Sequence, residues 1–179
     1  MELDILRAIQ SIHNPILDKI MIVITTLGDA GIFWILVSVI LLFFKKYRKI
    51  GVASLGALVL SLIFTNGIIK NLFDRVRPFM YDEAIRQSLL IKEPFDSSFP
   101  SGHTSASIAA AVSIFIFNKK WGTAAIVLAL MIGFSRLYLF VHFPTDVLTG
   151  LIAGILYAII SALIVVKLDE KYKFKWLRG

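Results

Sequence analysis

Three polar clusters interrupt an otherwise apolar chain: Lys70 with Arg77-Pro78, then Pro100-Ser101-Gly102-His103, then Ser135-Arg136 with His142 and Asp146. Together they supply cations, imidazoles, a carboxylate and a Ser-Gly pair at a helix start. Those parts suffice to hold a phosphate and cut its ester or anhydride bond. Lys70 and Arg77 are seven positions apart, which on a continuous helix returns to the same face after two turns. Pro78 stops the helix and pushes its predecessor out of helical geometry. A lysine and an arginine on one face make a phosphate clamp, with the arginine offering planar bidentate donors. The plain alternative is a basic flank that binds lipid headgroups, and Arg75 is read in that way, as a surface contact pointing away from the clamp.

Ser101-Gly102-His103 opens an apolar run. A helix start carries unpaired N–H groups and a positive dipole, which suits an anion. Gly102 lets the backbone approach a phosphate closely, Ser101 adds a hydroxyl, and His103 is placed to act as general acid. A simple Ser or Thr cap beside an interfacial histidine would give the same letters. In the third cluster Arg136 and His142 fall near the end of one apolar run, Pro144 breaks it, and Asp146 opens the next. An aspartate there can accept an imidazole N–H and fix its tautomer, leaving the other nitrogen free to attack phosphorus. It can also serve as an N-cap, or do both. Asp74, Asp82, Glu83, Glu93 and Asp96 form no evident metal-ligand spacing, and no Gly-rich nucleotide loop is present. Phosphotransfer through histidine without a metal or cofactor is the economical mechanism.

The elements that must position these groups are apolar helices. The chain has 179 residues, 58% of them hydrophobic, with a mean hydropathy of +0.81. Cysteine is absent, which excludes disulfides and thiolate metal sites. A bilayer span needs about 20 mostly apolar residues. The runs 29–44, 51–69, 101–117, 121–141 and 146–166 are read as five spans, with Asp29 as the expected cap of the first. Residues 15–27 are either a short sixth span or an interfacial helix. Residues 2–12 set Leu3, Ile5, Leu6, Ile9 and Ile12 roughly on one side, as in an amphipathic surface helix. The expected fold is an all-α polytopic transmembrane bundle, a single domain over 1–179, with the chemistry in 70–146.

The net charge of +7 is placed in clusters at Lys45-Lys46, Arg48-Lys49, Lys119-Lys120 and the tail from Lys167 to Arg178. Basic clusters at alternate ends of apolar runs are the positive-inside pattern and argue against a nucleic-acid face. With those clusters cytoplasmic, all three polar clusters fall on the outer side. The N-terminus is inside if 15–27 spans and outside if it does not. Acids in Met1-Glu2-Leu3-Asp4 replace the basic region that a cleaved signal needs. Gly150 and Gly154, with Ala106, Ala109, Ala110 and Ser113, read as small-residue packing faces.

Lys70-x6-Arg77-Pro78, Pro100-Ser101-Gly102-His103 and Ser135-Arg136-x5-His142-x3-Asp146 resemble, in full, the pattern of the type 2 phosphatidic acid phosphatase (PAP2) superfamily. The resemblance implies a metal-free lipid phosphatase in which His142 forms a phosphohistidine, Asp146 orients it and His103 protonates the leaving group. It implies that Lys70, Arg77, Ser101, Gly102 and Arg136 hold the phosphate oxygens, with Ser135 beside them. The short length and lack of extra domains resemble small bacterial members that recycle undecaprenyl diphosphate, which places that substrate first. Phosphatidylglycerophosphate, phosphatidic acid and lipid A 1-phosphate are the alternative substrates, and a non-enzymatic lipid transporter or scaffold is the competing class. Phe79, Met80, Tyr81, Phe95 and Phe99, within 79–99, form the expected specificity loop. On this reading His142→Ala is folded but inactive, and loss of one clamp residue costs about 10²–10³ in rate; phosphate release by the purified variants measures both.

Overall fold

In a bilayer the backbone must satisfy its own hydrogen bonds, so a chain of long apolar runs resolves into helices. The computed structural model describes residues 1–178 and contains helices and connecting loops, with no strand among them. The chain runs α1 (Glu2–Gln10), α2 (Pro15–Thr26), α3 (Ile32–Phe43), α4 (Arg48–Leu60), a π-helical stretch (Ser61–Ile69), α5 (Lys70–Leu72) and α6 (Glu83–Gln87). It continues through α7 (Gly102–Phe117), α8 (Lys119–Tyr138), α9 (Pro144–Tyr172) and α10 (Lys175–Arg178). The segments Lys45–Leu72, Lys119–Tyr138 and Pro144–Tyr172 are long and apolar enough to cross a membrane. The helix Gly102–Phe117 is shorter, at 16 residues.

α7 is the centre of the bundle, packed on α4, α8 and α9. Its small residues let the neighbours in: Ser105, Ser107, Ala109, Ala110, Ala111 and Ser113 are all buried. The Gly150–Gly154 face of α9 is a packing face, as its spacing suggests. A Cβ on Gly150 would stand 2.7 Å from the Ser101 carbonyl oxygen, and one on Gly154 would stand 2.6 Å from that of Ser105. Hydroxyls inside the bundle find one another: Ser105 Oγ lies 2.8 Å from Ser61 Oγ and 3.0 Å from Thr65 Oγ1, and Trp34 Nε1 donates to Ser107 at 2.9 Å. Polar atoms in hydrocarbon need such partners.

The segment 15–43 differs from the expected layout. α2 and α3 are bent by 44° at a short break, and α3 has only 12 residues. Both ends of α2 rest on one end of α8. Tyr138 Oη donates to Asp18 at 2.6 Å near its start, and Arg136 Nη1 donates to Thr25 at 2.6 Å near its finish. α2 therefore lies against the end of the bundle that holds the polar clusters. Asp29 does not cap the following helix; left-handed Gly31 precedes α3, and the Asp29 carboxylate reaches His103 instead. α3 then carries the chain to the opposite end, where Arg48 donates to the Trp176 carbonyl at 3.0 Å and Lys49 pairs with Asp169 at 2.7 Å. The basic clusters thus share one end and the phosphate-type motifs the other.

α1 is amphipathic as its pattern suggests, with Leu6 fully buried. It is docked, not merely adsorbed: Gln10 Nε2 donates to the Tyr138 carbonyl at 2.9 Å, and Glu2 takes hydrogen bonds from the Thr145 N–H and hydroxyl at 3.0 and 2.8 Å. Because α9 touches the first turn of α7 through bare glycine, Gly150→Val should destabilise the protein by about 1–3 kcal/mol through overpacking and displace Ser101. Thermal unfolding in detergent, with an activity assay alongside, measures both effects.

Candidate active site

The three motifs converge at one end of the bundle around a cavity of about 380 Å³ lined by Lys70, Arg77, Asp96, His103, Arg136 and His142, among others. Lys70 stands in the last turn of the long helix, Ser101 caps α7, Arg136 stands in the last turn of α8, and His142 sits on the tight link to α9. Phe140 takes φ +58° in that link, which turns the chain so that Val141 N–H returns to the Arg136 carbonyl at 3.2 Å. Pro144 at the first position of α9 fits the helix start, where no N–H is needed.

His142 is fully enclosed. Its Nε2 lies 3.3 Å from Arg77 Nη1, and its Nδ1 faces Asp146 Oδ2 at 3.5 Å. An arginine can only donate, so the nitrogen beside it is the one with the free lone pair. The proton then belongs on Nδ1, toward the carboxylate. At 3.5 Å that contact is longer than a hydrogen bond, and Nδ1 has no other partner among the described residues. Catalytic contacts of this kind commonly tighten only when substrate is bound. Burial, and after it the charges of Arg77, Arg136 and Lys70, hold the imidazole well below its usual range. It is therefore neutral and competent as a nucleophile near neutrality.

Asp146 holds its place by other bonds. Its Oδ2 accepts from Ser98 Oγ at 2.5 Å and from the Phe143 N–H at 2.8 Å. It thus both caps α9 backwards and faces the imidazole, the dual role open to it in sequence.

Lys70 and Arg77 do meet at the site, but not along one helix face. The helix ends at Leu72, and Arg77 returns on an extended segment. Both bind Asp96: Lys70 Nζ donates to one carboxylate oxygen, Arg77 Nη2 to the other at 2.6 Å, and Arg77 Nε to its carbonyl at 2.9 Å. Burial opposes ionisation of Asp96, but the hydrogen bonds and charges of Lys70 and Arg77 outweigh it and bring its pKa down to about 2. The Arg136 Nε is buried without a hydrogen bond among the described residues, a donor left over for an anion. His103 Nε2 lies 2.9 Å from Asp29 Oδ1.

Several expected contacts take another form. Arg75 does not point away: its Nη1 donates to Asp146 Oδ1 at 2.6 Å and its Nη2 to Glu2 Oε2 at 2.7 Å. The Ser135 hydroxyl donates back to the Ile132 carbonyl of its own helix at 2.7 Å, the usual outlet for a helical serine. Ser101 Oγ accepts from Thr104 Oγ1 at 3.0 Å, and its N–H serves the Asp146 carbonyl at 3.1 Å. The open first-turn N–H groups are those of Gly102 and His103. What crowds Gly102 is the Asn66 carboxamide, 2.6 Å from where a Cβ would stand. In the expected specificity loop Phe79 is core, whereas Phe95 is wholly exposed at the cavity mouth. Asp29, Glu2, Asn66 and Asp96 escaped sequence reading as site neighbours because each acts across a long separation, with no spacing to reveal it.

A second, largely apolar cavity of about 520 Å³ shares Lys70, Asp96 and His103 with the first and runs between α3 and α4 past Ile35, Leu55, Leu58, Val59 and Leu62.

A helical membrane bundle with an imidazole in a ring of cations, and an apolar cleft leading to it, defines a phosphatase for phosphorylated lipids. The PAP2 superfamily model matches residues 51–170, and the chain belongs to that superfamily. Undecaprenyl-diphosphatase BcrC of Bacillus subtilis (strain 168) is 31% identical over 162 residues, covering 87% of this chain and 80% of that protein. The crystal structure of Aquifex aeolicus LpxE superposes with a TM-score of 0.78 at 28% identity, over 89% of this chain and 93% of that one. The first transmembrane PAP2 type phosphatidylglycerolphosphate phosphatase from Bacillus subtilis gives 0.73 at 29% identity, over 97% and 87%.

Asp96 neutralises the two cations that a phosphate would need. Its depressed pKa means the pairing is complete above about pH 4 and is lost as pH falls through about 2, so it persists at any working pH. Asp96→Ala should therefore lower the inorganic phosphate concentration that inhibits the enzyme by about tenfold, measured as product inhibition at constant pH.

Proposed function

We propose that this chain hydrolyses the terminal phosphate of undecaprenyl diphosphate on the outer face of the membrane, through a phosphohistidine on His142. The observation that carries the reading is the imidazole whose unprotonated Nε2 lies beside Arg77 in a cavity shared with Lys70, Arg136 and His103. In-line attack by Nε2 forms the N–P bond and breaks the bond to the bridging oxygen. His103 gives the departing lipid phosphate its proton. Lys70, Arg77, Arg136 and the N–H groups of Gly102 and His103 stabilise the charge that develops on the equatorial oxygens. Water, deprotonated by His103, then attacks phosphorus and releases inorganic phosphate. No step needs a metal ion or cofactor. Asp146 faces the Nδ1 proton at 3.5 Å and accepts its hydrogen bond as the site tightens on substrate. Ser101 acts by capping the α7 start, and Ser135 by keeping Arg136's turn of helix in place.

The substrate assignment draws on the apolar cleft between α3 and α4, which opens from the His103 side, where the leaving group must lie. It also draws on the similarity to BcrC, named an undecaprenyl-diphosphatase. The similarity to a phosphatidylglycerolphosphate phosphatase keeps that lipid as the second reading. The outer-face placement rests on the basic clusters gathered at the opposite end. With α2 lying against the active-site end, the chain makes five passes from α3 to α9 and its N-terminus is outside. The whole of 1–179 acts as one domain.

Phosphate release from undecaprenyl diphosphate, phosphatidylglycerophosphate, phosphatidic acid and lipid A 1-phosphate, measured in EDTA with His142→Ala in parallel, tests the proposal. Selective release from undecaprenyl diphosphate that disappears with the substitution is expected. Lipid binding or movement unaffected by the substitution, without release, would mark a transporter instead.

A further inference from the structure

Arg75 lies between Lys70 and Arg77, the two cations of the first motif, yet serves neither. Its guanidinium is only partly exposed and lies 4.1 Å over the Phe143 ring. One arm reaches Asp146 Oδ1 at 2.6 Å and the Thr145 hydroxyl at 2.7 Å; the other reaches Glu2 Oε2 at 2.7 Å. Glu2, through its second oxygen, takes the Thr145 N–H and hydroxyl. Burial works against the Glu2 charge, yet these hydrogen bonds and the Arg75 cation hold its pKa below the usual range, so the pair is ionic near neutrality.

We propose that Arg75, anchored by Glu2 of α1, is a positioning residue of the phosphotransfer site: it fixes the Asp146 carboxylate and takes up its charge, so that His142 stays neutral until it attacks. The inference rests on the phosphohistidine reading above. A fully buried carboxylate needs a cation. Here two compete for it, a permanent guanidinium on Oδ1 and an imidazole on the Oδ2 side that is charged only when protonated. With Arg75 present, Asp146 can orient Nδ1–H without drawing a second proton onto the ring. The other charges facing His142 push the same way: Arg77 from the extended segment, Arg136 from α8, Lys70 from α5 and His103 from α7. Asp96 and Asp29 are engaged by those cations and by His103. Removing Arg75 leaves Asp146 free to favour imidazolium.

The test uses full-length Arg75→Gln, Arg75→Lys and Glu2→Gln, purified in detergent, with farnesyl diphosphate as the probe and kcat/KM followed against pH. For Arg75→Gln the acid limb is expected to move up by about one unit, so that activity falls about tenfold at pH values below the wild-type limb and recovers in alkali. Arg75→Lys keeps the charge but lacks the fork that spans Asp146 and Glu2. It should leave the limb in place while kcat falls several-fold, and it gives this answer even if Arg75→Gln does not fold. Glu2→Gln should lower kcat in the wild-type background and add nothing to Arg75→Gln. A folded Arg75→Gln with an unmoved limb, or Arg75→Lys with wild-type kcat, overturns the proposal. A wild-type enzyme that releases no phosphate from the probe or from any phosphorylated lipid would instead overturn the phosphatase reading on which it rests.

Discussion

Lys70, Arg77 and Arg136 converge on one enclosed imidazole, and their mutual repulsion is the constraint that the rest of the structure answers. Like charges gathered in a poorly hydrated site destabilise it unless anions stand among them. The chain provides those anions from distant places: Asp96 on Lys70 and Arg77, Asp146 behind His142, Asp29 on His103. Asp96 and Asp29 line the cavity beside the cations they pair with, and the buried Arg136 Nε is left without a hydrogen bond among the described residues. A doubly charged phosphate entering the cavity would meet donors whose geometry is already set, which is what electrostatic preorganisation requires.

Bringing those charges together needs helices that approach closely without a hydrophobic drive from water. The small-residue seam of α7 and α9 provides that approach, and the same glycines that admit α7 also place Ser101 against Asp146. Its carbonyl accepts the Ser101 N–H at 3.1 Å. Helix packing and the placement of Asp146 are thus coupled at one contact. The hydroxyl cluster of Ser61, Thr65 and Ser105 ties the π-helical stretch to α7 just below, so that Lys70 and Asn66 arrive beside the α7 start.

The clustering of these polar residues at one end was legible in the sequence because they stand at short, fixed spacings around a proline, a glycine or a helix start. His142 and Asp146 four residues apart, and Ser101-Gly102-His103 in a row, admit few arrangements. The long apolar runs made the bundle legible in the same way. What could not be read were contacts set by tertiary approach. The Lys70–Arg77 spacing suggested one helix face, yet the two residues meet by a chain reversal that Asp96 fastens. Asp29 looked like a cap, but left-handed Ala30 and Gly31 free its carboxylate for His103. Arg75 looked like surface because its partners, Glu2 and Asp146, lie 73 and 71 residues away. The 15–27 segment had the composition of a short span, and only the contacts of Asp18 and Thr25 with the end of α8 show that it lies against that end.

The bonds of Glu2 to Thr145 join positions 143 residues apart. On the ribosome the first turn of α1 is made long before its partner exists, and its amphipathic face must wait at the bilayer surface. The loop it closes is nearly the whole chain, an entropic cost that grows only slowly with length but cannot be met early. Nascent or truncated chains that lack α9 thus have neither Asp146 nor the Thr145 partner of Glu2, although Gln10 of α1 can already meet Tyr138 of α8. The cluster around Asp146 is therefore completed late, once the last long helix has been made.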